Sequence, residues 1–267
     1  MIKLIAEIGW NHMGDMDLAK RMIYSAHENG ADICKFQTWS EKKLKPGPWD
    51  FDGRREIYKK AQLSVDDHLV LKDYCKSIGS VFMTSVFNEN DLKILTDLGL
   101  NSVKIPSHEI HNTNLIKSSA KLFEKIFISC GASNWDEIKI LPNLISSKNY
   151  VLMHCVSTYP CPPEKINFPR MDEIKKISPV FGYSGHYNNI EDGMIAICKG
   201  AKYIEKHFTI DQSLPGRDNK FAILPSQMKD LSNFRNLFES MTENLGMNLQ
   251  GCEKDTYENY RGRWSGK

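Results

Sequence analysis

Short apolar runs and longer amphipathic segments alternate eight times along this chain of 267 residues. Such an alternation is typical of βα units, in which helices connect parallel strands. The sequence predicts strands at residues 4–8, 33–38, 81–85, 102–106, 126–130, 150–156, 180–184 and 203–208. The intervening helices are predicted to begin near Asp17, Val65, Glu89, Thr113, Trp135, Pro169, Ile190 and Ser226.

Eight such units without a break in composition predict a single α/β domain, a closed (β/α)8 TIM barrel over residues 1–250. That length fits the roughly 250 residues that such a barrel needs. The main alternative is an open, doubly wound sheet. No G-x-G-x-x-G or G-x-x-x-x-G-K-[ST] loop follows a predicted strand, which argues against the usual dinucleotide-binding and P-loop folds. Residues 251–267 are predicted to form a polar C-terminal tail, too short to fold by itself.

Residues 42–55 interrupt the alternation, because Pro46, Gly47, Pro48 and Gly53 break regular structure there. We therefore expect a long loop after the second strand. In a barrel this loop would lie over the mouth at the carboxyl ends of the strands, where lids are usually found.

The composition argues against several classes of partner. Lysine and arginine number 35 against 33 acidic residues, so no strong field favours nucleic acid or an anionic membrane. No run approaches the roughly 20 apolar residues of a membrane helix, and the apolar run before Glu7 is too short for a signal sequence. The seven cysteines form no C-x-x-C pair, which favours reduced thiols, a cytoplasmic location and small-molecule partners.

Polar residues cluster where the predicted strands end. In a parallel barrel these ends meet at one face, and that face carries the active site. The polar residues at or just after the strand ends include Glu7, Asn11, Lys35, Gln37, Ser85, Lys104, Ser107, Glu109, Ser129, Ser157, Tyr159, Ser184, His186 and His207.

Lys35 and Lys104 lie in apolar strands, where an ammonium group is costly to bury without a partner. Together with the serines at neighbouring strand ends, they predict a pocket for a phosphate or a phosphate-carboxylate ligand. The alternative is that the two lysines are buried structural residues, paired with Glu7 and Glu109.

His186 and His207 end the last two predicted strands, which one helix connects. If these strands are parallel neighbours, the two imidazoles lie together and can hold a divalent metal while leaving positions open for substrate. The alternative is that each is an ordinary hydrogen-bonded histidine at a strand end.

Six segments in this order resemble the sialic acid synthase family: AEIGWNHMGD, KFQTW, VKIPSHE, MHCVSTYPCPPE, GYSGH and EKHFTIDQSLPGRD. The resemblance covers about residues 4–245. It implies a TIM-barrel transferase that condenses phosphoenolpyruvate with an aldose, such as an N-acylated hexosamine. The products would be a nonulosonic, 2-keto-3-deoxy sugar acid for surface polysaccharides, and phosphate.

The resemblance also implies roles for individual residues. His186 and His207 match the ligands of a catalytic divalent metal, Mn²⁺ first, with Mg²⁺ or Co²⁺ as alternatives. Glu7 matches a group for proton transfer, or for hydrogen bonding alone, and Lys35 and Lys104 would offset the charge of the anion. The positions that match phosphoenolpyruvate contacts are Lys35, Ser85, Lys104, Ser107, Ser129, Ser157, Tyr159 and Ser184. The positions that match sugar contacts are Glu7, Asn11, Gln37, Glu109, Tyr159 and Asp218.

The chain departs from the family pattern at four points. Gly185 stands where the family has aspartate, which predicts that a carboxylate near His186 is missing. Ser157 stands where asparagine is common, and Val86 where proline is usual. The chain reaches Lys267 without the antifreeze-like domain that crosses to the partner subunit in the family. We therefore expect that a separate antifreeze-like protein supplies this domain, that residues 261–264 substitute for it, or that the aldose is a different one. The sequence leaves a homodimer open.

Two rival functions stay open at this point. One is a Schiff-base aldolase on the same barrel, in which Lys35 or Lys104 attacks a pyruvate-like substrate. The other is a sugar-acid binding protein without catalysis, which the changes at Gly185 and the C-terminus would favour.

Overall fold

The structure, a computed structural model, describes residues 1–145 and 149–264. Eight parallel strands close into one barrel in sequence order, which confirms the predicted (β/α)8 fold. The predicted strand boundaries agree with the observed ones to within two residues. The strands are β1 (Lys3–Glu7), β2 (Ile33–Thr38), β3 (Val81–Val86), β4 (Ser102–Ile105), β5 (Lys125–Ser129), β6 (Tyr150–His154), β7 (Phe181–Gly185) and β8 (Tyr203–His207).

Helices cover the outside of the barrel and connect the strands. They are α1 (Met16–Glu28), α2 (Arg54–Ala61), α3 (Val65–Ser77), α4 (Leu92–Asp97), α5 (Thr113–Leu122), α6 (Trp135–Lys139), α7 (Leu141–Leu144), α8 (Phe168–Ile177), α9 (Glu191–Cys198) and α10 (Pro225–Met241). The helix predicted near Glu89 begins as a 3-10 turn before α4, and the one predicted near Trp135 is divided into α6 and α7.

Helix α1 illustrates why these segments fold as they do. The side chain of Asp15 caps its first turn by accepting a hydrogen bond of 2.9 Å from the backbone N–H of Leu18. Met22 and Ile23, on the same face as Leu18, are completely buried against the sheet. Gly30 follows the helix with a φ of 94°, a left-handed conformation that glycine adopts without strain.

Two apolar layers form the core of the barrel. The larger one lies between the strands and the helices. The smaller one fills the barrel interior and consists of Ile5, Ile33, Met83, Phe127, Val151 and Met153. Ile5, Ile33 and Met83 precede Glu7, Lys35 and Ser85 by two residues, so alternation places these polar side chains above an apolar floor.

The segment at residues 42–55 is a long connection at the barrel mouth, as predicted, but it contains more structure than a loop. It includes two 3-10 turns, and Arg54 begins α2, which was not predicted. The sequence of α2, RREIYKKA, is only eight residues long and has three apolar residues, Ile57, Tyr58 and Ala61, among five charged ones. The side chain of Tyr58 on this helix packs against Trp10 and Trp39.

Beyond α10 the described chain, residues 242–264, is almost entirely exposed. It contains a 3-10 turn at Gly251–Glu253 and a π-helical turn at Thr256–Tyr260. The guanidinium of Arg261 lies 4.0 Å from the ring centroid of Tyr257. Within residues 1–145 and 149–264, no helix has the length and apolar character needed to cross a membrane.

Candidate active site

Strand register brings the polar strand ends together. Glu7 on β1 is paired with Lys35 on β2 and with His207 on β8. Ser85 on β3 is paired with Gln37 on β2 and with Lys104 on β4. Because all the strands are parallel, these side chains form one polar ring at the carboxyl end of the barrel.

A cavity of about 600 Å³ opens at this end. Most of the residues predicted from the sequence line it. They are Glu7, Lys35, Gln37, Ser85, Lys104, Ser107, Ser129, Tyr159, Ser184, His186, His207 and Asp218.

Three predicted residues do not line this cavity. Asn11 is fully buried behind it, where its side-chain amide donates a hydrogen bond of 2.9 Å to the carbonyl of Phe208. Glu109 ends a 3-10 turn outside the cavity wall. Ser157 lies next to the wall, with its hydroxyl 4.0 Å from the Cys155 thiol. The structure therefore does not support the sugar contacts predicted for Asn11 and Glu109.

Glu205 is the most important residue that the sequence reasoning missed. It is buried in the ring, and its carboxylate lies 2.8 Å from Lys104 Nζ and 3.6 Å from Lys35 Nζ. The hydroxyl of Ser184 donates a hydrogen bond of 3.0 Å to it. Glu205 could have been found from its place two residues before His207, because alternate residues of a strand face the same side.

Both lysines are therefore paired with carboxylates, as the structural alternative required, but Glu109 is not a partner. Lys35 Nζ lies 2.7 Å from Glu7 and donates a hydrogen bond of 2.9 Å to Ser85. Lys104 is paired with Glu205. A buried ion pair of this kind is weak evidence for stability, and the two pairs face a cavity large enough for a ligand.

The two buried lysines and their carboxylate partners shift one another's pKa values in different directions. Burial raises the pKa of Glu7, and Glu205 adds to the shift although Lys35 opposes it. Burial would also raise the pKa of Glu205, but Lys104 and Lys35 outweigh burial and lower it to about 2. Burial would lower the pKa of Lys35, but Glu205 and Glu7 raise it. Lys104 is the exception, because burial outweighs Glu205 and lowers its pKa.

The two histidines are neighbours in the cavity wall, with ring centroids 5.4 Å apart. Nδ1 of His186 lies 2.7 Å from the carbonyl of Val156. Since a carbonyl only accepts, Nδ1 carries the proton and Nε2 can present a lone pair in the neutral ring. Burial would lower the pKa of His186, but Cys155 outweighs burial and raises it. A cation bound to His186 would displace the added proton.

His207 is suited to bind a cation. Burial lowers its pKa well below the ordinary value, with His186 and Lys35 adding to the effect, so the ring is neutral. Its Nδ1 is buried without a hydrogen-bond partner. The nearest carboxylate oxygen, on Asp218, lies 3.4 Å from Nδ1, and burial raises the pKa of Asp218 to about 7.

These donors fit a divalent transition metal. Imidazole nitrogens are ligands that such ions prefer, and His207 is neutral and has an unused buried nitrogen. Among the described residues, no three or more of His, Cys, Asp and Glu form a metal cage. A metal held by His186 and His207 would therefore keep positions open for water or substrate.

The carboxylate expected to be missing beside Gly185 is supplied by another residue. A Cβ atom added to Gly185 would lie 2.3 Å from Oδ2 of Asp192, so the Asp192 carboxylate occupies this space. Asp192 belongs to α9 rather than to the strand. A carboxylate therefore lies beside Gly185, and the sequence did not predict it, because sequence adjacency does not reveal what a neighbouring helix contributes.

Basic residues stand at the mouth of the cavity, and the sequence reasoning did not identify them. Arg54, Arg217 and Lys220 all line it. The two arginines share one carboxylate, Asp52, at 2.8 Å and 3.6 Å. Asp218 lies between Arg217 and Lys220 in the sequence, and burial raises its pKa to about 7, so the three cations outweigh the nearby carboxylates and make the mouth attractive to anions.

A closed barrel whose carboxyl end combines a buried lysine pair with two adjacent imidazoles defines a (β/α)8 protein with an anion-binding and metal-competent site. The chain belongs to the NeuB family, which matches residues 22–245. It is 34% identical over 245 residues to the N,N'-diacetyllegionaminic acid synthase of Campylobacter jejuni, covering 85% of this chain and 73% of that protein. The N-acetylneuraminate-9-phosphate synthase of Homo sapiens is 30% identical over 264 residues, covering 94% of this chain and 74% of the relative.

A solved structure supports the same relationship. The N-acetylneuraminic acid synthetase of Leptospira borgpetersenii superposes with a TM-score of 0.86 at 28% sequence identity. The superposition covers 100% of this chain and 93% of that one.

Proposed function

We propose that this protein condenses phosphoenolpyruvate with an aldose, an N-acylated hexosamine or a related sugar, to give a nonulosonic-type 2-keto-3-deoxy sugar acid and phosphate. The observation that carries the proposal is a cavity of about 600 Å³ that holds two buried ammonium groups beside two imidazoles. Relatives named as synthases of legionaminic, N-acetylneuraminic and pseudaminic acids support it. A relative named for spore coat polysaccharide biosynthesis supports a role in making surface polysaccharide.

Lys35 and Lys104 would bind the phosphate and carboxylate groups of phosphoenolpyruvate. Both are 2% exposed, and a buried charge attracts an anion more strongly than a solvated one. The hydroxyls of Ser85, Ser107 and Ser129 lie in the same wall and can donate hydrogen bonds to the same anion. Glu205, whose pKa is lowered to about 2, is the carboxylate that compensates Lys104 in the unliganded cavity, while Glu7 compensates Lys35.

His186 and His207 would hold the divalent metal, with manganese as our first choice. When bound, such an ion acts as a Lewis acid toward the oxygen of the sugar aldehyde. Tyr159 and Phe221 pack beside the imidazoles, with ring centroids 4.0 Å from His186 and 5.0 Å from His207. These rings restrict water around the histidines and would orient the open-chain sugar.

The reaction forms one carbon–carbon bond and one carbon–oxygen bond to water, and it breaks the carbon–oxygen bond to phosphate. C3 of phosphoenolpyruvate attacks the aldehyde carbon, and water adds at C2 to give a tetrahedral intermediate. One proton of this water balances the proton that the aldehyde oxygen takes to become a hydroxyl. Loss of the second proton from the new C2 hydroxyl expels phosphate, which takes up that proton, and leaves the ketone.

Glu7 is placed to hold a proton for these steps. Its carboxylate lines the cavity, accepts a hydrogen bond from Gln37 and lies 2.7 Å from Lys35 Nζ. Because its pKa is raised, Glu7 can carry a proton closer to neutral pH than an ordinary glutamate.

Isotope labelling tests the proposed bond cleavage. With phosphoenolpyruvate labelled with ¹⁸O at the oxygen that bridges C2 and phosphorus, the released phosphate should contain the label. Unlabelled phosphate would mean that the phosphorus–oxygen bond breaks, and the proposed sequence would be wrong. Mass spectrometry of the product should show the aldose extended by three carbons.

A Schiff-base aldolase is the second candidate, because the lowered pKa of Lys104 would make its amine more nucleophilic. The ion pair with Glu205 at 2.8 Å opposes it, since that contact favours the ammonium form. Borohydride reduction in the presence of pyruvate separates the two functions. A covalent adduct on Lys104 or Lys35 would favour the aldolase.

A further inference from the structure

A buried ion pair lies directly behind the two histidines, on the outer side of the sheet. Lys206 on β8 alternates with Glu205 and His207, so its side chain faces α9 instead of the cavity. Its Nζ donates hydrogen bonds of 2.9 Å and 2.8 Å to the two carboxylate oxygens of Asp192. Both side chains are at most 1% exposed. Since burying two charges is costly, a well-satisfied pair here points to a specific role.

The Asp192 carboxylate connects three elements of the barrel wall. It accepts a hydrogen bond of 3.0 Å from the hydroxyl of Tyr183 on β7 as well as those from Lys206 on β8. Lys206 Nζ also donates a hydrogen bond of 2.7 Å to the carbonyl of Tyr187. Tyr187 directly follows His186, and Lys206 directly precedes His207. Lys206 therefore links the backbone beside His186 to the strand that carries His207, and the Asp192 carboxylate holds the Lys206 side chain in the position that makes this link.

Gly185 leaves the space in which this carboxylate lies. A Cβ there would approach Asp192 Oδ2 to 2.3 Å and the ring of Tyr183 to 2.4 Å. The φ of Gly185 is not in the left-handed region, so the backbone itself does not require glycine. Side chains at positions 185 and 192 would thus occupy the same space, and an aspartate at either position could supply a carboxylate to Lys206.

We propose that Asp192 is a positioning residue that sets the separation of His186 and His207 through Lys206, and that Gly185 accommodates it. The proposal rests on the proposed function in one respect, that these histidines hold a divalent metal. Residues that orient metal ligands typically contribute 10- to 100-fold to metal affinity. Asp192 acts indirectly, through Lys206 and the Tyr187 carbonyl that Lys206 contacts, so we expect an effect of about tenfold on metal affinity.

The test compares Mn²⁺ affinity, measured by direct titration, among four variants. Asp192→Asn, Asp192→Ala and Lys206→Met should each weaken Mn²⁺ binding about tenfold and lower kcat more than they raise the KM for phosphoenolpyruvate. The double variant Gly185→Asp with Asp192→Ala moves the carboxylate from helix to strand, and Tyr183 can shift into the space that Asp192 vacates. It should recover Mn²⁺ affinity to within about threefold of wild type.

Asp32→Asn is the matched control. Asp32 accepts hydrogen bonds from Lys3, Leu4 and Arg235 at the opposite end of the barrel. This variant should lose stability without changing Mn²⁺ affinity, which separates positioning from general destabilisation. If folded Asp192→Ala and Lys206→Met proteins bind Mn²⁺ as tightly as wild type, the proposal is wrong. If Asp192→Ala and Lys206→Met do not fold, the nearly isosteric Asp192→Asn decides, and wild-type Mn²⁺ affinity in that variant would overturn the proposal.

Failure of this inference is distinguishable from failure of the proposed function. Titration of Mn²⁺ requires no turnover, so it remains informative if no sugar acid is formed. Histidine ¹⁵N NMR gives a readout that needs no metal. The ring ¹⁵N shifts of His186 and His207 should change in Asp192→Ala, because the two rings move relative to each other, and should stay as in wild type in Asp32→Asn. Unchanged shifts of both rings in Asp192→Ala would contradict the proposal.

Discussion

Replacing Glu205 by glutamine tests the charge network most sharply, because the substitution keeps the shape and removes only the charge. In the folded protein Glu205 lies 2.8 Å from Lys104 Nζ. Removing one partner of a buried pair costs about 3–5 kcal/mol. The stability lost in Glu205→Gln has an upper limit, because Lys104 can release its proton instead of remaining buried as an unpaired ammonium group. Releasing a proton at pH 7 from a group with an ordinary pKa of 10.5 costs about 5 kcal/mol.

The pH dependence gives the same prediction a second test. The pKa of Glu205 is lowered from 4.5 to about 2 in the folded state. Its contribution to stability is therefore complete above about pH 4.5 and is lost as the pH falls through about 2. At pH 3 the unfolded chain has bound the proton and the folded protein has not. The stability difference between wild type and Glu205→Gln should thus be about 2 kcal/mol smaller at pH 3 than at pH 7.

Urea unfolding followed by circular dichroism at pH 7 and pH 3 measures the stability lost in Glu205→Gln and the change of that loss with pH. Glu173→Gln is a suitable control, since Glu173 pairs with Lys176 on the surface and both side chains are more than half exposed. We expect that control to change stability by less than about 0.5 kcal/mol. A loss below about 1 kcal/mol for Glu205→Gln at pH 7, or the same difference at both pH values, would refute the reasoning.

Three further predictions concern activity. His207→Ala should abolish metal-dependent turnover while the circular dichroism spectrum stays that of wild type, because the histidine lies above the apolar floor of the barrel. Near-normal turnover with added metal would show that His207 is not a metal ligand. Lys35→Met should raise the KM for phosphoenolpyruvate about 10- to 100-fold, since a charged hydrogen bond contributes roughly 1.5–3 kcal/mol. An unchanged KM would show that the anion does not bind at Lys35. Borohydride with pyruvate should leave no adduct detectable by mass spectrometry on either buried lysine.

The strands were predictable from the sequence because each is a short apolar run between polar connections. Helix α2 was not, because it is only eight residues long and follows a segment rich in proline and glycine. Its position depends on the aromatic contacts of Tyr58, which connect distant parts of the chain.

The site was predictable wherever a polar residue interrupts an apolar strand. Lys35, Lys104 and His207 are all of this kind. Glu205 has the same alternation as His207 but was overlooked beside it. Asp192 could not be found in this way, because a helix supplies it and only the packing of α9 against β7 and β8 brings it to Lys206. Asn11 was misplaced because its side chain turns back to the backbone of Phe208.

The central claim is that buried lysines and a histidine-bound metal together condense phosphoenolpyruvate with a sugar. Phosphate release from phosphoenolpyruvate by the purified protein, with and without Mn²⁺, across aldoses that do and do not carry N-acyl groups, tests it most directly. We predict release that requires both Mn²⁺ and one class of aldose. Release that is independent of metal and sugar, or phosphoenolpyruvate binding without release for every aldose, would contradict the claim.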